Sequence, residues 1–228
     1  MVHSLISDSS LLTSTVGLRQ SLEQLYAERP LYPFDSGQEI ELLPDDIWIV
    51  ARGIVQLGTL YDTGDESLLG LACSSSPFGL PLTSIRPYQA IALTHIDLIK
   101  VTLDEIQAST ALTHSLFPHL SRRLAQSEAM AAMAGYRRVE DRLKHLLVLL
   151  SQEIGQVTEA GVRLNIRLTH QQLANAIGTT RVTITRLLSL LRQERWLTID
   201  RQRHILLLKS CYGANFWGEK VGKRLGSI

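Results

Sequence analysis

The stretch LTHQQLANAIGTTRVTITRLLSLLRQERWLTID, residues 168–200, decides the fold of the C-terminal part of the chain. Thr169 and Gln172 have the spacing of a capping box, which predicts that a short helix begins here. Gly178 suits the tight turn after this helix, and Thr180 predicts the N-cap of a second helix. Two short helices joined by such a turn indicate a helix-turn-helix.

The second helix of this motif has an apolar face and a polar face. The residues predicted to be buried are Ile184, Leu187, Leu188 and Leu191. The residues predicted to face outward near its N-terminus are Arg181, Val182, Thr185, Arg186 and Ser189. A recognition helix needs this arrangement, because its apolar residues seat it on the domain while its first turns enter the major groove of DNA. Arginine can bind guanine O6 and N7 with two hydrogen bonds, and valine can contact a thymine methyl.

The N-termini of both predicted helices, and the segment after the second helix, carry side chains that could contact the DNA backbone. The short polar side chains that could reach phosphate oxygens are Thr169, Gln171, Thr180 and Thr183. The following stretch, LTIDRQRHILLLK, predicts a β-hairpin, or wing, and the residues near its tip are Arg201, Arg203 and His204. In the alternative interpretation the motif is a helical hairpin in the core of another domain, such as an enzyme's, and its arginines are only solvated. The wing and the local positive charge favour DNA binding.

Charge is distributed unevenly along the chain, although the formal net charge is only +1. Residues 1–108 contain 5 Lys and Arg against 14 Asp and Glu, whereas residues 161–209 contain 9 Lys and Arg against 2 Asp and Glu. A compact basic segment is typical of a surface that replaces counterions on a phosphate backbone, although charge also differs between domains of proteins that never bind DNA. The acidic half would repel DNA, so we expect it to have another role.

The sequence pattern of the N-terminal half is typical of short β-strands. Residues 31–103 contain brief apolar stretches separated by Gly, Pro and Asp turns, which predicts a β-sandwich or a rolled barrel. The segment YDTGDES, residues 61–67, predicts a hairpin turn. A short helix is predicted before these strands, at residues 17–30.

A long helix is predicted over residues 104–134. Its apolar stripe comprises Leu112, Leu116, Leu120 and Leu124. The helix then becomes rich in small residues, which would let two copies approach closely, so we predict that it dimerises. Alternatively, the stripe packs only on the β-rich part of the same chain. Pro118 would kink the helix or mark a break before it, Gly135 is a predicted hinge, and residues 137–154 predict a further helix that Gly155 stops.

The sequence argues against several classes of protein. Two cysteines, Cys73 and Cys211, are too few for a disulfide framework or a four-cysteine metal site. The seven histidines show no metal-ligand spacing, and no catalytic cluster or Gly-rich phosphate loop appears, so we expect neither a metal nor an enzyme. No apolar run approaches the roughly 20 residues of a membrane span. The N-terminus lacks the features of a signal peptide, which favours the cytoplasm.

An acidic β-rich half, a long helix and a basic winged helix-turn-helix, in this order, resemble the catabolite activator / fumarate–nitrate regulator (CRP/FNR) family over residues 17–209. The resemblance implies an α+β fold with an N-terminal β-roll, the jelly roll of cyclic-nucleotide-binding domains, then a long dimerisation helix and a C-terminal winged helix-turn-helix. The implied domains are residues 1–108 (β-roll effector domain with an N-terminal helix), 109–135 (dimerisation helix), 136–210 (DNA-binding domain) and 211–228 (tail). The implied partners are double-stranded DNA, a second copy of the chain and RNA polymerase.

Within this family, GTTRVTITRLL, residues 178–188, is most similar to the recognition helix of the cyanobacterial nitrogen-regulator subgroup, NtcA, whose members are activators. That subgroup carries Arg-Val-x-x-x-Arg where the cyclic-AMP receptor has Arg-Glu-x-x-x-Arg. By this similarity Arg181, Val182 and Arg186 would read a palindrome with GTA and TAC half-sites. Valine cannot accept a hydrogen bond from cytosine N4 as glutamate does, so the DNA site of the cyclic-AMP receptor is not expected.

The family resemblance also bears on a small-molecule effector. Cyclic-nucleotide sensors of the family carry Phe-Gly-Glu, and Leu80 stands here in place of the glutamate, so it cannot bind a ribose hydroxyl and cyclic AMP is disfavoured. The 2-oxoglutarate site of the NtcA subgroup is a closer match, and the matching residues are Phe78, Gly79, Leu80, Arg86, Arg123 and Glu128. Two arginines could each form a charge-assisted fork with one carboxylate of such a ligand.

Other interpretations of these residues stay open. This sequence departs from the subgroup at Pro81, where the pattern has leucine, and at Pro87, which separates Arg86 from Tyr88. Arg86 and Arg123 could equally form ordinary surface or interhelical ion pairs. The alternative is a regulator without an effector, controlled by its abundance or by a protein partner.

Overall fold

The computed structural model describes residues 29–209 of the 228-residue chain. The helix predicted at residues 17–30 lies outside this range except for Arg29 and Pro30, which are not helical. The predicted tail, residues 211–228, lies wholly outside it. Within this range the chain divides into two compact units, one of residues 29–55, 72–84 and 90–124, and one of residues 56–71, 85–89 and 125–209.

Seven strands form the β-rich part of the chain. They are β1 (Tyr32–Phe34), β2 (Asp46–Arg52), β3 (Val55–Leu60), β4 (Glu66–Ala72), β5 (Pro77–Phe78), β6 (Gln89–Ala92) and β7 (Ile96–Thr102). One sheet has the strand order β1-β7-β2-β5 and is antiparallel throughout, and a second has the order β4-β3-β6. The strands that the turn-punctuated sequence predicted are therefore present.

The core of the first unit lies on the central strand pair, β2 and β7. Ile47 pairs with Val101 and Ile49 with Ile99, so branched side chains that favour extended backbone meet across the pair. These four residues and Leu116, from the long helix described next, form one buried cluster. The hairpin turn predicted at residues 61–67 is confirmed, because the Tyr61 amide donates to the Asp65 carbonyl at 2.8 Å between β3 and β4.

The predicted long helix is divided into two. Helix α1 (Leu103–Ala108) begins at a capping box of Thr102 and Glu105, and α2 (Thr110–Ala134) follows after an extended Ser109. The Ser109 hydroxyl accepts a hydrogen bond from the Leu112 amide at 3.2 Å and so starts a new helix. Pro118 lies inside α2, so the break falls nine residues before it. Helix α2 ends at Ala134, next to the predicted hinge, and α3 (Val139–Ile154) begins two residues later than predicted.

The C-terminal part consists of two helices and a four-stranded antiparallel sheet. Its elements are β8 (Gly155–Thr158), β9 (Gly161–Leu164), α4 (His170–Ile177), α5 (Arg181–Gln193), β10 (Leu197–Ile199) and β11 (Ile205–Leu208), with the strand order β10-β11-β9-β8. The predicted wing is the β10–β11 hairpin. The β8–β9 hairpin was not predicted, and Gly155, predicted to stop α3, is also the first residue of a strand.

Candidate nucleic-acid interface

Two capped helices form the predicted helix-turn-helix. The Thr169 hydroxyl accepts from the Gln172 amide at 3.1 Å, and the Gln172 side chain accepts from the Thr169 amide at 2.8 Å, which completes the capping box of α4. Gly178 ends α4 in the left-handed conformation at φ +62°, which favours glycine. The Thr180 hydroxyl accepts from the Thr183 amide at 3.2 Å and caps α5. The local prediction is confirmed at each of these points.

Helix α5 buries one face and exposes the other, as predicted. Ile184, Leu187, Leu188 and Leu191 are buried. Arg181, Val182, Thr185, Arg186 and Ser189 are exposed and line one shallow depression. Val182 is 79% exposed, more than any other large apolar side chain on the described surface. A valine that is so poorly packed contributes little to the fold, so it is free to contact another molecule.

The predicted phosphate-contacting side chains lie at the N-termini of α4 and α5, where the helix dipole favours an anion. Their polar groups already have partners within the protein. Thr180 and Thr183 bond to each other through their hydroxyls at 3.0 Å, and the Gln171 amide donates to Asn175 at 2.6 Å. A phosphate oxygen could therefore accept only from the donors that remain, which are the second amide hydrogen of Gln171, one hydroxyl of the Thr180–Thr183 pair and the first backbone amides of each helix.

The wing is fixed by an arginine of β9. The Arg163 guanidinium donates to the Asp200 carboxylate at 2.7 Å and to His204 Nδ1 at 2.7 Å. The His204 amide donates to the same carboxylate at 2.8 Å, and this bond, together with Arg163 and the Gln202 amide, lowers the pKa of Asp200 from 3.8 to about 2. His204 is therefore half-buried and turned inward, whereas sequence reasoning placed it near the tip with the arginines. The exposed cations of the tip are Arg201 and Arg203.

Sequence reasoning missed two residues of this surface, Arg163 and His170. His170 is the first residue of α4 and its Nδ1 lies 2.8 Å from the Thr185 hydroxyl of α5. No local pattern could have indicated either contact, because the partners are 15 and 37 residues apart.

Comparison with known proteins assigns the chain to a family. A Crp-like helix-turn-helix domain matches residues 141–210. The global nitrogen regulator of Synechococcus elongatus is 32% identical over 212 residues, which cover 87% of this chain and 93% of that protein. The chain belongs to the CRP/FNR family of transcription regulators.

Solved structures of CRP/FNR regulators have the same fold. A regulator of this family from Thermus thermophilus has a TM-score of 0.64 at 25% identity and covers 87% of this chain and 99% of its own. The c-di-GMP responsive global regulator CLP of Xanthomonas campestris has a TM-score of 0.65 at 20% identity and covers 83% and 99%. The predicted α+β fold, with a β-roll, a long helix and a C-terminal helix-turn-helix, is confirmed. The chain is a DNA-binding transcription regulator similar to the nitrogen regulators, and these relatives are regulators rather than enzymes.

The CRP/FNR resemblance predicted an effector site that begins at Phe78. Phe78 is buried in β5, where its backbone lies opposite Trp48 of β2 in the strand pair. Gly79 has φ +151°, and a Cβ there would lie 2.4 Å from the Asp46 carbonyl oxygen, so no other residue fits. Leu80 is half-buried at the start of a short 3-10 turn, Leu80–Leu82. The backbone of this segment is thus held close to β2.

The charged residues of the predicted effector site lie on two other segments. Arg86 is exposed before β6, and its guanidinium donates to the Ile85 carbonyl at 2.7 Å. Arg123 is half-buried and Glu128 exposed on α2. Their assembly into one site stays a prediction.

The apolar side chains of helix α2 differ in how far they are buried. Leu116 is fully buried in the first unit, whereas Phe117 is 67% and Leu124 63% exposed, with Leu120 also exposed between them. Leu112 also packs against the buried cluster, so the predicted apolar stripe divides into two residues that pack within the first unit and an exposed face.

Residues 29–209 lack the features of a membrane span and of a metal site. No helix in this range is long and apolar enough to cross a lipid bilayer. Within the same range, no three His, Cys, Asp or Glu side chains are grouped so that they could hold a metal ion.

Proposed function

We propose that this regulator binds a palindromic DNA site with GTA and TAC half-sites, and that Arg181, Val182 and Arg186 read its bases. The exposed N-terminal face of α5 carries this proposal. Its two arginines offer forked donors for guanine, and the 79% exposed Val182 between them offers an apolar contact for a thymine methyl. Thr169, Gln171, Thr180 and Thr183 contact phosphates at the two helix N-termini, and the wing contacts the backbone beside the groove.

The protein acts as a homodimer. A palindrome presents the same half-site twice, so a two-fold pair of recognition helices matches it. Phe117, Leu120 and Leu124 of α2 form the face that a second copy covers, because exposed apolar side chains at helical spacing pack well against an identical helix. The domains correspond to residues 1–108, 109–135 and 136–210, followed by the tail. The regulator works in the cytoplasm, as an activator that also contacts RNA polymerase.

A DNA-binding assay with two matched arginine variants tests the recognition surface. Arg186→Ala removes a cation from the recognition face, and Arg192→Ala removes one from the exposed last turn of the same helix, outside the depression. We expect Arg186→Ala to lose about 1–3 kcal/mol of preference for GTA-containing duplexes over scrambled ones. Arg192→Ala should keep that preference. If Arg186→Ala keeps the preference for GTA-containing duplexes, the proposal that α5 reads the bases is contradicted.

The effector of this regulator is 2-oxoglutarate, held by Arg86 and Arg123. The pattern of Phe78, Gly79, Leu80 and Glu128 supports this assignment, as does the similarity to global nitrogen regulators. Binding would shift the population of dimers towards the one whose recognition helices fit both half-sites. The second candidate is a regulator without an effector, favoured by the two prolines that depart from the subgroup pattern.

Calorimetric titration separates the two candidates. The wild-type protein should give a saturable heat signal with 2-oxoglutarate and a flat trace with cyclic AMP. Arg123→Gln should abolish the 2-oxoglutarate signal, and Arg122→Gln, which removes the neighbouring charge on α2, should retain it. A flat 2-oxoglutarate trace for the wild-type protein would refute the effector assignment and support the second candidate.

A further inference from the structure

A hydrogen-bond relay joins the first helix of the motif to the recognition helix. His170 Nδ1 of α4 lies 2.8 Å from Thr185 Oγ1 of α5, and this hydroxyl lies 3.0 Å from the Arg181 carbonyl one turn earlier. His170 is half-buried, and the capping box at Thr169 holds the backbone on its N-terminal side. The relay therefore connects two elements that the rest of the motif already holds in place.

The two contacts together fix the direction of each hydrogen bond. A carbonyl oxygen can only accept a hydrogen bond, so the Thr185 hydroxyl must donate its single proton to the Arg181 carbonyl. It then has no proton left for His170, and only an Nδ1–H that donates to Oγ1 satisfies both contacts. One lone pair of Oγ1 accepts from the imidazole, and one lone pair and the methyl group remain for another molecule.

We propose that His170 is a positioning residue that, together with the Arg181 carbonyl, holds Thr185 as an acceptor-only reader of one base pair in each half-site. The proposal rests on the recognition surface assigned above, because Thr185 is exposed in the same depression as Arg181, Val182 and Arg186. An acceptor-only hydroxyl can take a hydrogen bond from the exocyclic amino group of adenine N6 or cytosine N4. It cannot donate to guanine O6 or N7, nor to thymine O4. A freely rotating threonine would tolerate either kind of base edge.

The test varies each base pair of the duplex singly and measures binding of the wild type, His170→Leu and His170→Asn at two salt concentrations. We expect His170→Leu to reduce the preference at one position per half-site by about 3- to 10-fold, the scale of one hydrogen bond. Its other preferences and its salt dependence should be unchanged. His170→Asn should restore the preference, because its amide N–H can donate from near the position of Nδ1. Thermal unfolding of each variant checks that the fold is retained.

A second pair of variants keeps the test independent of any change in folding at His170. Thr185→Val removes the hydroxyl with little change in shape and should lose the same preference at the same base pair. The double variant with His170→Leu should lose no more than Thr185→Val alone, because both changes break one relay.

Two results would overturn the proposal. A uniform loss of affinity for every duplex, with a shallower salt dependence, would make His170 a phosphate contact. If His170→Leu keeps every base preference of the wild type, His170 has no role in reading bases. Failure of the underlying recognition surface is distinguishable, because in that case Arg186→Ala would also keep its preference for GTA-containing duplexes.

Discussion

Two aliphatic side chains two residues apart on α5 should respond to truncation in opposite ways. Ile184 is fully buried, whereas Val182 is 79% exposed. Ile184→Ala removes buried methyl groups from the seat of the helix, which costs about 2–5 kcal/mol of unfolding free energy. Val182 buries only about a fifth of its side chain, so Val182→Ala should cost about 0.4 kcal/mol by area.

In DNA binding the order of the two effects should reverse, so that truncation of Val182 changes base preference and truncation of Ile184 does not. If Val182 packs on a thymine methyl, losing its methyl groups should reduce the preference at one base pair by about 1 kcal/mol, or about 5-fold. Ile184→Ala should retain the order of base preferences at temperatures where it stays folded. Urea unfolding followed by tryptophan fluorescence, with Trp196 just beyond α5, measures the first property, and duplex competition measures the second.

Two results would refute this reasoning. The first is a loss of more than about 1 kcal/mol of stability in Val182→Ala, which would place Val182 in a packed environment. The second is an unchanged base preference in that variant, which would remove Val182 from the reading face.

Further predictions concern the wing, the caps and the dimer. The lowered pKa of Asp200 means that its contribution to wing stability is complete above about pH 4 and is lost as pH falls towards 2; hydrogen exchange of β10 and β11 should show this acid loosening in the wild type and not in Asp200→Asn. Thr180→Ala should cost about 1 kcal/mol of unfolding free energy and Thr180→Ser close to nothing, because serine keeps the capping oxygen. Gly178→Ala should cost about 1–2 kcal/mol in thermal unfolding, because φ is +62° there and a Cβ is strained. Leu124→Glu should give monomers in analytical ultracentrifugation while the far-UV circular dichroism spectrum stays the same, since this side chain is 63% exposed and its change disturbs no packing within the chain; a dimer that survives the change would place the interface elsewhere.

The features that could be predicted from the chain are those with local causes. A capping box joins residues three apart, a left-handed turn needs glycine at one position, and helical periodicity repeats within one or two turns. The helix-turn-helix and the face of α5 follow from such signals, and so does the turn between β3 and β4. The break at Ser109 was equally local, yet Pro118 is the stronger helix-breaking signal and drew the prediction away from it.

Packing between distant segments decided the remainder. Leu116 and Leu124 are the same residue type on one helix, and only the neighbouring β2–β7 pair makes the first a core residue and leaves the second exposed. His204 turns inward because Arg163, 41 residues away, supplies a partner, and one lone pair of the Thr185 hydroxyl is occupied because His170 reaches it from another helix. The amino-acid sequence therefore specified the capped helices of the helix-turn-helix, their boundaries and the β3–β4 turn, since those features depend on neighbours within a few residues. Burial, hydrogen-bond direction and the chemical character of the reading face depend on side chains that meet only once the chain has folded.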